Sequence, residues 1–186
     1  MRSYSWGTVL SVGVLLGALG ACAPRVGGER STIATFPRYR TYAWAGPAIA
    51  ARPTEQTGAA ILDWRIRAAV DAALAARGYE RTSGAASLLV DYDVVVPSTG
   101  GAAFRAYFRD RRSAAEDLGN MSRGFPAGSL VVYLVDARTR ELAYRGWAFD
   151  VIADDASPAR VDDAVSRMLA AVPAVSDARS AGPRGQ

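Results

Sequence analysis

One thiol and three neighbouring pairs of carboxylates are the groups in this 186-residue chain that could do chemistry: Cys22, Asp91 with Asp93, Asp154 with Asp155, and Asp162 with Asp163. Two carboxylates across a cleft could hydrolyse a glycosidic bond or hold a calcium ion. The absences weigh more. The chain has no histidine, and all 22 of its basic residues are arginine. Without histidine, a serine or cysteine nucleophile lacks its usual base and zinc its commonest nitrogen ligand. Without lysine, Schiff-base chemistry and the phosphate-binding loop both fail. A calcium loop would bring more oxygen ligands into a short span, and an Asp-x-Asp on a wet strand face is ordinarily just solvated. We therefore expect no catalytic residue, no metal site and no cofactor. A carboxylate-dependent hydrolase stays open as a lesser alternative, and a lone cysteine forms no disulfide within its own chain.

Cys22 stands in a particular place. A positive start at Met1-Arg2 is followed by apolar residues over 7–19 and then a small pair, Gly20-Ala21. That is the charged, hydrophobic and cleavage region of an export signal. The apolar run of about 13 residues is shorter than the roughly 20 a spanning helix needs. Leu19-Gly20-Ala21-Cys22 resembles the lipobox of bacterial lipoproteins, which implies cleavage before Cys22 and a diacylglycerol on its thiol. One acyl chain binds a membrane only marginally, so stable attachment takes two or more. Ala23 follows, rather than the aspartate that in such lipoproteins favours the inner membrane. The resemblance thus implies the periplasmic face of an outer membrane. We assign 1–21 to the signal peptide, 22–31 to the lipidated cysteine and a tether with Pro24, Gly27 and Gly28, 32–175 to one domain, and 176–186 to a disordered tail.

Half of the residues are hydrophobic and 22% are charged, the composition of a globular fold. Net charge is +4, and removing Arg2 with the signal leaves 21 − 18 = +3. That is too mild and too evenly spread for a nucleic-acid footprint.

Hydrophobic periodicity sets the elements. Aromatic and β-branched residues over 36–44 predict a first strand, ended by Gly46-Pro47. A helix follows, with Leu62, Ile66, Ala69, Val70, Ala73 and Leu74 on one face, Asp63, Arg67 and Asp71 as a ladder beside them, and Gly78 as its stop. Residues 87–96 alternate as a strand, with Leu88, Val90, Tyr92, Val94 and Val96 on one side and Leu89, Asp91, Asp93 and Val95 on the other. The intervening helix makes these two strands parallel. Residues 130–136 and 142–152 form an antiparallel hairpin, and Ser157-Pro158 opens a last helix with Val161, Ala164, Val165, Met168, Leu169 and Val172 as its stripe. The expected fold class is α/β: a two-layer sandwich of about four mixed strands with two helices on one face, in the order β-α-β-insert-β-β-α.

The other sheet face would then be partly open, carrying Asp91, Asp93, Tyr133, Arg145 and Trp147, a mixture found at binding surfaces. The insert or flap, 97–128, with some helix expected over 113–118, holds Arg105, Tyr107, Arg109, Arg111 and Arg112, which could meet an anionic ligand.

Five segments resemble one family in order: YRTYAW from Tyr39, Ile66-Arg67 with AAVDAALAARGY, LLVDYDV from Leu88, LVVYLVDARTRELAYRGWA from Leu130, and AVSRMLAAVP ending at Pro173. They are similar to the envelope lipoproteins grouped as domain of unknown function 4136. The chain departs from them in Tyr144, where members tend to carry tryptophan, and in its long insert. The resemblance implies a lipidated periplasmic α/β domain and brings no activity, cofactor or catalytic residue. We expect a non-catalytic module that meets the membrane through its lipid and docks an envelope protein or the cell-wall polymer. The alternative is a carrier of a small amphiphilic or anionic ligand.

Overall fold

The computed structural model describes residues 24–32, 34, 36–46, 58–96, 101–102, 105–106, 108, 124–152 and 158–175. Six strands form one mixed sheet: β1 (Val26–Arg30), β2 (Thr41–Trp44), β3 (Glu80–Arg81), β4 (Leu88–Val95), β5 (Ser129–Asp136) and β6 (Leu142–Ala148), in the spatial order β1-β6-β5-β4-β2-β3. Helices α1 (Gly58–Ala75) and α2 (Pro158–Leu169) accompany it. β2 and β4 are parallel, as the helix between them requires, and β4, β5 and β6 are antiparallel.

The alternation of β4 and β5 sorts the core. Leu88, Val90, Tyr92, Val94, Leu130, Val132 and Leu134 join one buried cluster with Ile66, Val70 and Leu74 of α1 and with Val161, Ala164, Val165, Met168 and Leu169 of α2. Val131, Tyr133 and Val135 start a second, smaller cluster, joined by Leu89, Phe125, Leu142 and Trp147. α1 ends as its sequence demands: Gly78 takes φ +84°, its N–H donates to the Ala75 carbonyl at 2.9 Å, and the Tyr79 N–H reaches back to Leu74 at 3.1 Å. Only a residue without a Cβ enters that left-handed turn freely. The β5–β6 turn is held by Asp136, whose carboxylate accepts the N–H groups of Arg138 and Thr139 at 2.8 and 2.9 Å.

Three expectations are corrected. The sheet has six strands rather than about four. The first strand is shorter than 36–44, because Phe36–Arg38 closes a 3-10 turn in which the Tyr39 N–H donates to the Phe36 carbonyl, and pairing starts only at Thr41. The tether assigned to 22–31 is not free beyond Arg25, because Val26–Arg30 pairs antiparallel with β6 as an edge strand. Its glycines are what the neighbours require. A Cβ on Gly27 would lie 2.6 Å from the Trp147 indole, and one on Gly28 would collide with the Tyr144 phenol, so a ring of β6 crosses the edge strand on each face. The helix expected over 113–118, the cap Ser157 and the tail 176–186 lie outside the described residues.

Candidate functional site

Strand register brings the predicted face residues together in two adjacent rows. Asp91 pairs with Tyr133, Tyr133 with Arg145, and Arg145 with Glu29, one residue from each of four strands. In the next row Asp93 pairs with Val131, Val131 with Trp147, and Trp147 with Gly27. Side chains opposite one another in such rows touch: Arg145 and Glu29 form an ion pair at 2.5 Å. Each aspartate also accepts the N–H of the residue after it, Tyr92 for Asp91 and Val94 for Asp93, both at 2.9 Å.

This face, expected to be partly open, is closed at its middle and accessible at its rim. Asp91 and Tyr133 keep 3% and 2% of their surface, and Val131 none. Phe125 is packed against the cluster, 5.8 Å from Trp147 and 6.0 Å from Phe149 between ring centres. The Arg145 guanidinium lies 5.7 Å from the Phe125 ring and 5.9 Å from that of Trp147. What stays accessible is the rim, where Arg145, Trp147, Phe125 and Phe149 are all half-buried and Pro126 and Ala127 exposed.

Of the insert residues, Arg105 is exposed at a helical position, its N–H donating to the Gly101 carbonyl at 3.0 Å; Tyr107, Arg109, Arg111 and Arg112 lie outside the described residues. Phe108 of the same insert is buried in the helix-side core. Cys22, Leu19, Gly20 and Ala21 also lie outside the described residues.

A second polar cluster sits where α1 meets β2 and β4. Asp63 and Arg67, one helical turn apart, are both buried and paired at 3.2 Å. The Tyr92 hydroxyl donates to the same Asp63 oxygen. The Arg67 guanidinium lies 4.5 Å from the Trp44 ring centre. Farther along α1, Asp71 accepts from the Tyr42 hydroxyl at 2.8 Å, the Trp44 indole N–H at 3.0 Å and Arg81 at 2.9 Å. Burial first, and then the Asp71 carboxylate beside it, push the Tyr42 hydroxyl well above the ordinary tyrosine value. These carboxylates hold tyrosines and arginines in place, and among the described residues no group of three or more possible metal ligands is gathered.

A pocket of about 80 Å³ lies beside the β5–β6 turn, lined by Tyr39, Asp136, Arg138, Thr139 and Glu141 among others. Ligand pockets run to roughly 300–1,000 Å³, so it suits water better than an amphiphile. The Tyr39 hydroxyl donates to Asp136 there at 2.9 Å. The backbone N–H of Thr139, with Tyr39 and Arg138, holds the Asp136 carboxyl below the usual carboxylate range despite partial burial.

Glu29, Phe125 and the buried Asp63–Arg67 pair were not singled out as site residues from sequence. Glu29 sits in a stretch that reads as a tether, and Asp63, Arg67 and Asp71 read from spacing alone as a ladder along one helix side. The readable signal was on the strands: Tyr42, Trp44 and Tyr92 share a face whose buried polar tips need partners.

No match was found among curated proteins. Among solved structures, a DUF4136 family protein from Bacteroides thetaiotaomicron is similar at a TM-score of 0.52 and 13% identity, covering 78% of this chain and 94% of the other. A PelC dodecamer from Paraburkholderia phytofirmans gives a TM-score of 0.44 at 10% identity, over 82% of this chain and 99% of the other. The sequence itself matches the domain of unknown function DUF4136 over residues 29–174, and the chain belongs to that family.

Proposed function

We propose that this chain is a lipid-anchored envelope protein. Cys22 carries the diacylglycerol after cleavage behind Ala21, and the domain, a two-layer sandwich, stands on the periplasmic face of the outer membrane. There it serves as a non-catalytic binding or structural module. The observation that carries the reading is Leu19-Gly20-Ala21-Cys22 at the end of a short apolar run, with the chain's only cysteine at the one position where acylation requires it. For the non-catalytic role, the support is that Asp63, Asp71 and Asp136 each accept from a tyrosine hydroxyl, and Asp136 also holds a turn.

The partner would be an envelope protein or the cell-wall polymer, met at the rim of Arg145 and Trp147 rather than at the buried Asp91 and Tyr133. The test is expression of the full chain in a Gram-negative host fed an alkyne-tagged fatty acid. The expected product is tagged and shortened, and it fractionates with outer membranes. Inhibition of the lipoprotein signal peptidase should leave it uncut. An untagged Cys22 in the wild-type chain, or tagging that persists in Cys22→Ala, overturns the reading.

A further inference from the structure

Pairing of β1 with β6 shortens the reach of the anchor and fixes which end of the domain it leaves from. The Arg25 carbonyl already accepts the Phe149 N–H at 2.9 Å, and Val26 pairs with Ala148. Only Ala23 and Pro24 separate Cys22 from that pinned residue, a span of about 10 Å when extended. At the same end β6 finishes, β5 begins and β4 stops. Three aromatic residues meet there. Trp147 lies over Gly27, Phe125 contacts both Trp147 and Phe149, and all three rings are half-buried rather than sealed. The rings stand on rigid supports. The Ser129 hydroxyl donates to the Pro126 carbonyl at 2.6 Å, and the Gly128 N–H to Val95 at 2.7 Å.

Resting on the lipid-anchor reading, we propose that this end of the sheet lies against the phospholipid surface to which Cys22 is attached, with Phe125, Trp147 and Phe149 at head-group level. Tryptophan, an apolar body with a polar N–H edge, settles at a membrane–water interface, and Phe125 and Phe149 add apolar rings beside Trp147. The head-group layer is about as deep as the span left to the chain. Among the described residues, Arg25 pairs with Asp150 at 3.7 Å and Arg145 with Glu29. Contact through the rings persists at high salt, where a charge-driven contact would be screened.

The test uses the lipidated full chain in vesicles of phosphatidylethanolamine and phosphatidylglycerol. An environment-sensitive NBD probe is placed through Ala127→Cys, beside the rings, or through Arg138→Cys, at the opposite end of the hairpin. The probe at position 127 should shift to the blue and brighten on reconstitution, with the shift kept at high salt; the probe at position 138 should keep its emission in water. Phe149→Ser should reduce the shift at position 127 with the acyl chains still in place. An unshifted probe at 127, or equal shifts at both positions, overturns the placement. Mass spectrometry of the N-terminal peptide reads the anchor separately: acyl chains with no shift sink this inference alone, whereas their absence sinks the anchor reading beneath it.

Discussion

The two faces of this sheet are built from interleaved residues of the same strands, yet they are closed by different means. On one, Leu88, Val90, Leu130, Val132 and Leu134 lie fully buried in a core shared with two helices. On the other, Asp91, Tyr133, Arg145 and Glu29 cross four strands in one row, beside a small apolar cluster that Phe125 joins. The difference shows how each face tolerates charge. The helix side buries Asp63 and Arg67 only because they are neighbours on one helix turn and a tyrosine completes the carboxylate. The other side carries Arg145 and Glu29 toward an edge, where both keep contact with water, and buries Asp91 in mid-sheet with one carboxylate oxygen on the Tyr92 N–H.

Breaking the helix-side pair should have the largest effect. Arg67→Ala leaves Asp63 buried opposite an empty site, and removal of one partner of a buried ion pair costs about 3–5 kcal/mol. Urea unfolding should show that loss, and Asp63→Leu combined with Arg67→Met should recover much of it. A double variant as unstable as Arg67→Ala would mean the pair is not what holds this corner. Truncating the core beside it comes next. Leu134→Ala removes a fully buried side chain and should cost about 2–5 kcal/mol, depending on how far the helices settle into the gap.

Overfilling the edge strand asks whether the rings of β6 need its glycines. Gly28→Val drives a side chain into the Tyr144 phenol, which is buried and donates to the Met168 carbonyl. Its cost should be about 1–3 kcal/mol, the usual range for overpacking. Gly27→Val meets Trp147, which is only half-buried and can swing outward, so the smaller loss is expected on that face. Equal losses would show that both rings are equally confined.

Titration separates the regions further. Tyr42, Tyr79 and Tyr144 all have hydroxyls pushed above the ordinary value of 10, in each case chiefly by burial. The unfolded chain then gives up these protons first. Stability is fully present below about pH 10 and falls as pH rises beyond it. Asp136 works in the opposite sense. Its folded value is lowered, so its contribution is present above the unfolded carboxylate value and is lost as pH falls through the folded one. Asp136→Asn should remove that acid-side slope and cost about 1 kcal/mol, the net worth of a turn hydrogen bond. Circular dichroism followed against pH in both directions reads each effect.

How much of this was legible follows from periodicity. β4, β5, β6 and both helices carry a clean repeat of 2 or 3.6 and were read from it, as was the parallel pairing of β2 and β4. β1 was not, because Val-Gly-Gly-Glu-Arg has no apolar repeat; it pairs with β6, whose aromatic rings cross it at two positions without a Cβ. Alternation places Asp91, Asp93, Tyr133, Arg145 and Trp147 on one side of the sheet, and register keeps them in adjacent rows. Their burial was not legible, because alternation says which side a residue faces and not what lies over it.

The smallest effect is the sharpest check on where the closed surfaces end. Trp64 keeps 65% of its surface on the outward side of α1, with Ile61 one turn before it at 50%. Serine and tryptophan have similar helix propensities. An exposed side chain without a buried partner changes stability by no more than about 0.5 kcal/mol. Trp64→Ser should therefore unfold at nearly the wild-type urea midpoint. Trp147→Ser should not, because its ring covers Gly27 and packs on Phe125. If Trp64→Ser instead destabilises the purified chain by more than the core variant Leu134→Ala, the outward side of α1 is covered in solution, and the division between closed and open surfaces drawn from the sheet would have to be moved to include it.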